Sequence, residues 1–160
     1  AMRGDAARGA AFTDAAKGYL AFWQRNATAG DHTRLQYNTS AASWSLKYNL
    51  LFDSIEGGAR LFPAATMAAE DKYYAAAHMN AFGVPLDDRA TFTKGDWLSW
   101  VAAMGSQEQF DAFVGRLFRF ANETADRVPT SDWYDTVSGR HVGFVARPVL
   151  GGWFARHLMP

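Results

Sequence analysis

No cysteine occurs in the 160 residues, which excludes disulfides and cysteine-ligated zinc. No apolar run approaches the ~20 residues that a membrane helix needs, so no membrane partner is expected. The opening Ala1-Met2-Arg3-Gly4-Asp5 has no apolar stretch after its charge, so it does not read as a signal peptide. Net charge is also missing: 16 basic side chains balance 16 acidic ones. A neutral chain lacks the basic surface that phosphate backbones require, which argues against nucleic acid as a partner. The four histidines, His32, His78, His141 and His157, show no ligand spacing, so no metal site is expected. Gly57-Gly58 and Gly151-Gly152 lack the Lys-Ser/Thr or spaced glycines of a phosphate loop. No Gly-x-Ser-x-Gly elbow is present, and no cofactor is implied.

What the chain does have is apolar and aromatic surface. Hydrophobic residues make up 49% and charged residues 20%, which excludes disorder. Aromatics reach 15%, with six Trp and twelve Phe, more than a lone domain of this length readily hides. The length suits one domain or one piece of a larger one. Asn-x-Ser/Thr sequons occur at Asn26, Asn38 and Asn122, where chance gives about 0.6, so a secreted, extracellular glycoprotein is expected.

Apolar spacing reads as a series of helices. In Gln107 to Ala121, Phe110, Phe113, Val114, Leu117, Phe118 and Ala121 form one broad stripe, and Ser106 with Gln109 forms a capping box. Asp96 to Met104 repeats the pattern, with Thr93 and Asp96 as a second capping box. Ser43 to Ile55 places Trp44, Tyr48, Leu51 and Ile55 on one stripe and is stopped by Gly57-Gly58. Thr13 to Arg25, Ala64 to Phe82 and a last helix from Pro148 through Leu158 complete six. An all-α fold follows. Val84 to Gly95 and Arg127 to Arg147 are the long connections where sites usually lie.

Three motifs carry a family resemblance. The first is Leu35-Gln36-Tyr37-Asn38 followed by Ser43-Trp44-Ser45-Leu46-Lys47-Tyr48-Asn49-Leu50. The second is Phe82-Gly83-Val84-Pro85-Leu86-Asp87-Asp88-Arg89 followed by Thr91-Phe92-Thr93-Lys94-Gly95-Asp96-Trp97. The third is Asp132-Trp133-Tyr134-Asp135-Thr136 followed by Ala146-Arg147-Pro148-Val149-Leu150-Gly151-Gly152-Trp153-Phe154-Ala155. Their order resembles the C-terminal part of the fungal glutaminase A family and its bacterial relatives of unassigned function. The resemblance covers about residues 13 to 158. It implies helical hairpins forming part of an (α/α)6 toroid, with residues 1–160 as the C-terminal part of a larger catalytic domain. The rest of the parent toroid would be the partner, and L-glutamine, hydrolysed to L-glutamate and ammonia, the small-molecule substrate. Two positions depart from the family: Gly95 stands where relatives often have Ser, and Trp153 where many have His.

Amide hydrolysis needs a nucleophile or activated water, a proton donor for ammonia, and donors for the oxyanion. A free amino acid further needs a carboxylate for its ammonium and an Arg for its carboxylate. Asp87 to Asp96 supplies these types: Asp87, Lys94 and Asp96 as catalytic candidates, Arg89 for the substrate carboxylate. Arg147, at a helix start, and Asp135 are further binding candidates, either paired together or on the substrate. Tyr48 and Trp44 would line a pocket or form a core stripe. Two rival readings stand beside this one. A six-hairpin glycosidase would pair Asp87 with Asp96 or Asp135 as acid and base, and a non-catalytic helical segment would carry no site of its own.

Overall fold

A computed structural model describes residues 4–160. Ala1 to Arg3, part of the stretch read above for a signal peptide, lie outside the described residues. Helix α1 (Ala6–Ala27) begins earlier than its apolar stripe, because the leading alanines are strong helix formers. Asp5 caps it, its carboxylate accepting from the Arg8 amide at 2.9 Å. Phe12, Tyr19 and Phe22 of α1 face outward, 65%, 77% and 49% exposed.

The largest departure from expectation lies at Ser43–Ile55. Instead of one helix, the chain runs extended past Trp44, Ser45 and Leu46, turns through a 3-10 segment (Tyr48–Leu50), and makes only a four-residue α2 (Leu51–Ser54). Ser45 pairs antiparallel with Asp87 in a single bridge. The Leu46 amide donates to the Leu86 carbonyl at 2.8 Å, and the Asp88 amide to the Trp44 carbonyl at 3.3 Å. The sequence also permits this reading. Trp44 and Leu46 alternate with Ser45 and Lys47, so an extended chain buries the first pair and turns the second to the other face. Pairing with the Leu86–Asp88 backbone decides between the two periods.

Helix α3 (Ala64–Ala77) stops at His78 rather than Phe82. The chain then tightens into a turn in which Asn80 bridges Gly83, whose φ of +127° suits glycine. Strand β1 (Phe92–Lys94) pairs antiparallel with β2 (Trp133–Asp135), with Thr93 opposite Tyr134 and Lys94 opposite Trp133. This ribbon is an addition to the helical fold that the spacing predicts: the chain is helical with one short two-stranded sheet. It also removes the Thr93–Asp96 capping box, because Thr93 is held in β1 and Lys94 takes the cap position of α4 (Gly95–Met104). The other box forms by half: Asp71 takes the place of the Gln109 side chain, its carboxylate accepting from the Ser106 amide at 3.0 Å and its carbonyl from Gln109 Nε2 at 2.7 Å. Ser106 Oγ accepts from the Gln109 amide at 3.2 Å and starts α5 (Gln107–Glu123).

Helix α4 is the spine of the molecule. Its Leu98, Val101 and Ala102 are fully buried and pack with Trp44, Leu46, Tyr74, Val84 and Phe113. A second apolar cluster joins Phe82, Leu117, Phe120 and Tyr134, with the Phe120 and Tyr134 rings stacked at 3.6 Å. The final helix is a 3-10 segment (Pro148–Leu158), broken at Phe154, that lies along α4. Glycines allow that approach. A Cβ on Gly95 would sit 2.8 Å from Trp153 Nε1, and one on Gly152 would sit 2.7 Å from Asp96 Cβ. The two departures from the family pattern, Gly95 and Trp153, are therefore in direct contact. Among the described residues, no helix is long and apolar enough to cross a membrane.

Candidate active site

The extended segment at Ser45–Lys47, the Leu86–Arg89 loop and the start of α4 enclose a cavity of about 400 Å³. Its wall includes Trp23, Ser45, Lys47, Tyr48, Asp87 and Arg89, with Trp97 closing one side. Tyr48 stacks on Trp97 at 4.0 Å and nearly parallel, which makes a flat aromatic surface.

Asp87 is 9% exposed and turns back on its own loop. Its Oδ1 accepts from the Arg89 amide at 3.0 Å and from Arg89 Nε at 2.9 Å, and its Oδ2 accepts from Arg89 Nη2 at 2.6 Å. This is an Asx-type turn closed by a two-pronged ion pair. Burial raises the Asp87 carboxyl, but the Arg89 contacts outweigh it and hold the group below the usual carboxylate range. Arg89 itself is exposed, and the Asp87 contacts occupy only its Nε and Nη2.

Lys47 enters the same wall from the extended segment. Its ammonium donates to the Ser45 carbonyl and Ser45 Oγ, each at 2.8 Å, and to the Thr33 carbonyl at 3.2 Å. Thr33 Oγ1 in turn donates to the fully buried Glu70 at 2.6 Å. The Tyr74 hydroxyl donates to the Ser45 carbonyl at 3.0 Å and accepts from the Lys47 amide at 3.1 Å. Burial lowers the Lys47 amine to about 8, although the charges of Glu70 and Asp87 act in the opposite sense.

The structure divides the sequence candidates. Asp87, Arg89 and Tyr48 meet at the cavity. Lys94, Asp96 and Arg147 gather instead around Asp132, which is fully buried beside β2. Lys94 Nζ lies 3.7 Å from Asp132 Oδ2, and Arg147 Nε lies 3.5 Å from Asp132 Oδ1. The partner of Arg147 is thus Asp132, not Asp135. Lys94 also sits over the rings of Trp97, Trp133 and Phe144 at 5.1–5.6 Å, so Trp97 separates this cluster from the cavity. Burial raises the Asp96 carboxyl, and neighbouring Asp132 adds to the rise. Asp135 is spent on local structure: it accepts from the Thr91 hydroxyl and from the Val137 and Ser138 amides. Trp44 lies in the core, 4% exposed and stacked on His78 at 3.9 Å.

Ser45, Lys47 and Trp97 line the cavity, and Glu70 and Asp132 stand behind it, through Thr33 and Lys94; sequence reasoning singled out none of the five as a site residue. For Ser45 and Lys47 a signal was present, in the alternation with Trp44 and Leu46. Glu70 carried none, since its stretch reads as an ordinary alanine-rich helix.

Helices α4 and α5, consecutive in the chain and packed together, form a helical hairpin, and the cavity lies against the start of α4. The chain belongs to the glutaminase A six helical-hairpin domain family, whose model matches residues 1–157. It is 37% identical over 147 residues to glutaminase A of Aspergillus oryzae, a match covering 88% of this chain and 21% of that protein. It is 28% identical over 155 residues to a probable glutaminase of Arthroderma benhamiae, covering 79% of this chain and 18% of that protein. The chain thus spans about a fifth of the length of these curated relatives. No solved structure matches it.

Proposed function

We propose that this chain is the C-terminal part of an (α/α)6 toroid in a secreted glutaminase-type amidohydrolase that converts L-glutamine to L-glutamate and ammonia. The observation that carries the reading is the cavity. At about 400 Å³ it falls in the size class of small-molecule sites, about 300–1,000 Å³. It combines a guanidinium, a carboxylate, an amine and a stacked aromatic wall, the groups that a free amino acid amide needs. Arg89 keeps Nη1 for the substrate carboxylate, and Asp87 receives the substrate ammonium. Tyr48 and Trp97 pack the methylenes and exclude water. Lys94, Asp96, Asp132 and Arg147 hold the far side of Trp97 and so fix that wall. A glycosidase pair gains no support here, because Asp96 and Asp135 do not line the cavity with Asp87.

The test is ammonia release from L-glutamine by the full-length protein, with Arg89→Ala and Asp87→Ala alongside. Wild type is expected to release ammonia, and Arg89→Ala to raise KM about 10- to 100-fold through the lost carboxylate contact. Absence of release by a well-folded full-length protein would sink the assignment. For secretion, Asn38 and Asn122 are exposed, while Asn26 is half-buried with its amide donating to the Phe22 carbonyl at 2.7 Å. Glycans are therefore expected on Asn38 and Asn122 and not on Asn26, which glycopeptide mass analysis of the protein from a eukaryotic host checks.

A further inference from the structure

We propose that Ser45 and Lys47 form a nucleophile–base dyad, with Ser45 Oγ as the atom that attacks the substrate carbonyl. The inference rests on the amidohydrolase reading and supplies the group which that reading leaves unnamed.

Backbone geometry creates the pair. Residues two apart on an extended strand share a face, so Ser45 and Lys47 project together away from the buried Trp44 and Leu46. Both line the cavity, and their Nζ and Oγ atoms lie 2.8 Å apart, within proton-transfer distance. The bridge to Asp87 and the Leu46–Leu86 hydrogen bond fix this strand. The lysine is fixed as well. Thr33 receives one of its N–H groups and links onward to Glu70, which gives the base an orienting partner behind it.

A serine needs an adjacent base to act at neutral pH, and lysine serves once burial makes its neutral form accessible. Lys47 meets that condition, titrating near 8. The charged and titratable groups facing it are Glu70 and Tyr74 from α3, Asp87 and Arg89 from the loop, and Arg34 and Tyr48 from the cavity wall. Among the described residues, no histidine lines this cavity to compete for the role.

The steps balance as follows. Neutral Lys47 takes the Ser45 hydroxyl proton as Oγ bonds to the amide carbon. The resulting ammonium passes that proton to the amide nitrogen, the C–N bond breaks, and ammonia leaves. A glutamyl ester remains on Ser45. Water then attacks the ester carbon and gives a proton to Lys47. The C–O bond to Ser45 breaks, the proton returns to Oγ, and glutamate departs.

The experiment uses the full-length protein and two readouts. The first is ammonia release from L-glutamine by wild type, Ser45→Ala and Lys47→Arg, with helicity compared throughout. Lys47→Arg keeps the charge but cannot act as a base. Both variants are expected to lose kcat by at least about a thousandfold. The second is labelling by a serine-directed fluorophosphonate, with the modified peptide mapped by mass. Label on Ser45 that depends on Lys47, with half-maximal rate near pH 8, supports the dyad. Retained ammonia release by either folded variant overturns the dyad while leaving the amidohydrolase reading in place. No release by wild type, with Lys47-dependent labelling of Ser45, would retire glutamine as substrate and keep the dyad. No release and no label on Ser45 would overturn both.

Discussion

Lys47 is a cation placed where a cation is disfavoured, and that gives it a measurable effect on stability. Folding moves its amine from 10.5 down to about 8. Between those two values the unfolded chain holds a proton that the folded chain has released, so this group makes stability rise with pH across about 8 to 10.5. Below about 8 both states carry the proton and the contribution is flat. The tyrosines Tyr48 and Tyr74 are shifted upward by burial and act in the opposite sense, so the comparison must be with a variant that keeps them. Urea midpoints of wild type and Lys47→Met at pH 7.5 and pH 10 isolate the lysine. The wild-type-minus-variant difference should increase by on the order of 1–3 kcal/mol at the higher pH. A difference that stays level or falls would mean that Lys47 remains fully hydrated. At this scale the sequence was legible where chemistry is local. Asp87 and Arg89 stand two residues apart in one loop, and they meet. Ser45 and Lys47 were passed over because an assumed helix sets them about 200° apart around its axis, although their alternation with Trp44 and Leu46 also fits an extended chain.

The helical elements that were legible have one dominant apolar stripe and their own start signals. Helix α5 is the clearest, since Phe113 and Leu117 of its stripe are buried and Ser106 caps it, although Phe118 and Ala121 of that stripe are exposed and Phe120 is buried instead. The extended stretch at Trp44–Leu46 and the β1–β2 ribbon were not legible, because each is decided by a partner far along the chain. Residues 44–46 pair with 86–88, and 92–94 with 133–135. Packing of the last 3-10 segment on α4 gives a prediction at this level. Gly95 and Trp153 are in contact, and a side chain at 95 would meet the indole at 2.8 Å, so the two positions should behave as a unit. Gly95→Ser alone should destabilise by about 1–3 kcal/mol through overpacking. Adding Trp153→His removes the clashing ring, so the double variant should recover part of that loss. A double-mutant cycle on denaturation midpoints measures the coupling, expected at about 0.5–3 kcal/mol. Additive losses would show that α4 and the final segment separate easily and that the glycine answers to another constraint.

For the molecule as a whole, the aromatic content that looked excessive in the sequence is visible as surface. Phe12, Tyr19 and Phe22 on α1, with Phe118 on α5, all stand at least 49% exposed. The curated relatives are about five times longer, so a parent of that length would have further chain available to cover such rings. Composition alone pointed to this much: an aromatic excess in a short, neutral chain leaves large rings at its surface. If the α1 aromatics contribute to covering rather than to the internal core, Phe12→Ser, Tyr19→Ser and Phe22→Ser together should leave the stability of the 160-residue chain within about 0.5 kcal/mol per site. The same triple variant should lower binding of an apolar fluorescent dye and reduce concentration-dependent self-association, read by sedimentation. In the full-length protein each truncated ring should instead cost up to about 3–5 kcal/mol, because each would be buried there. Equal, small effects in both contexts would show that α1 stays solvent-facing in the parent, and that its aromatic residues serve a partner other than the remainder of the chain.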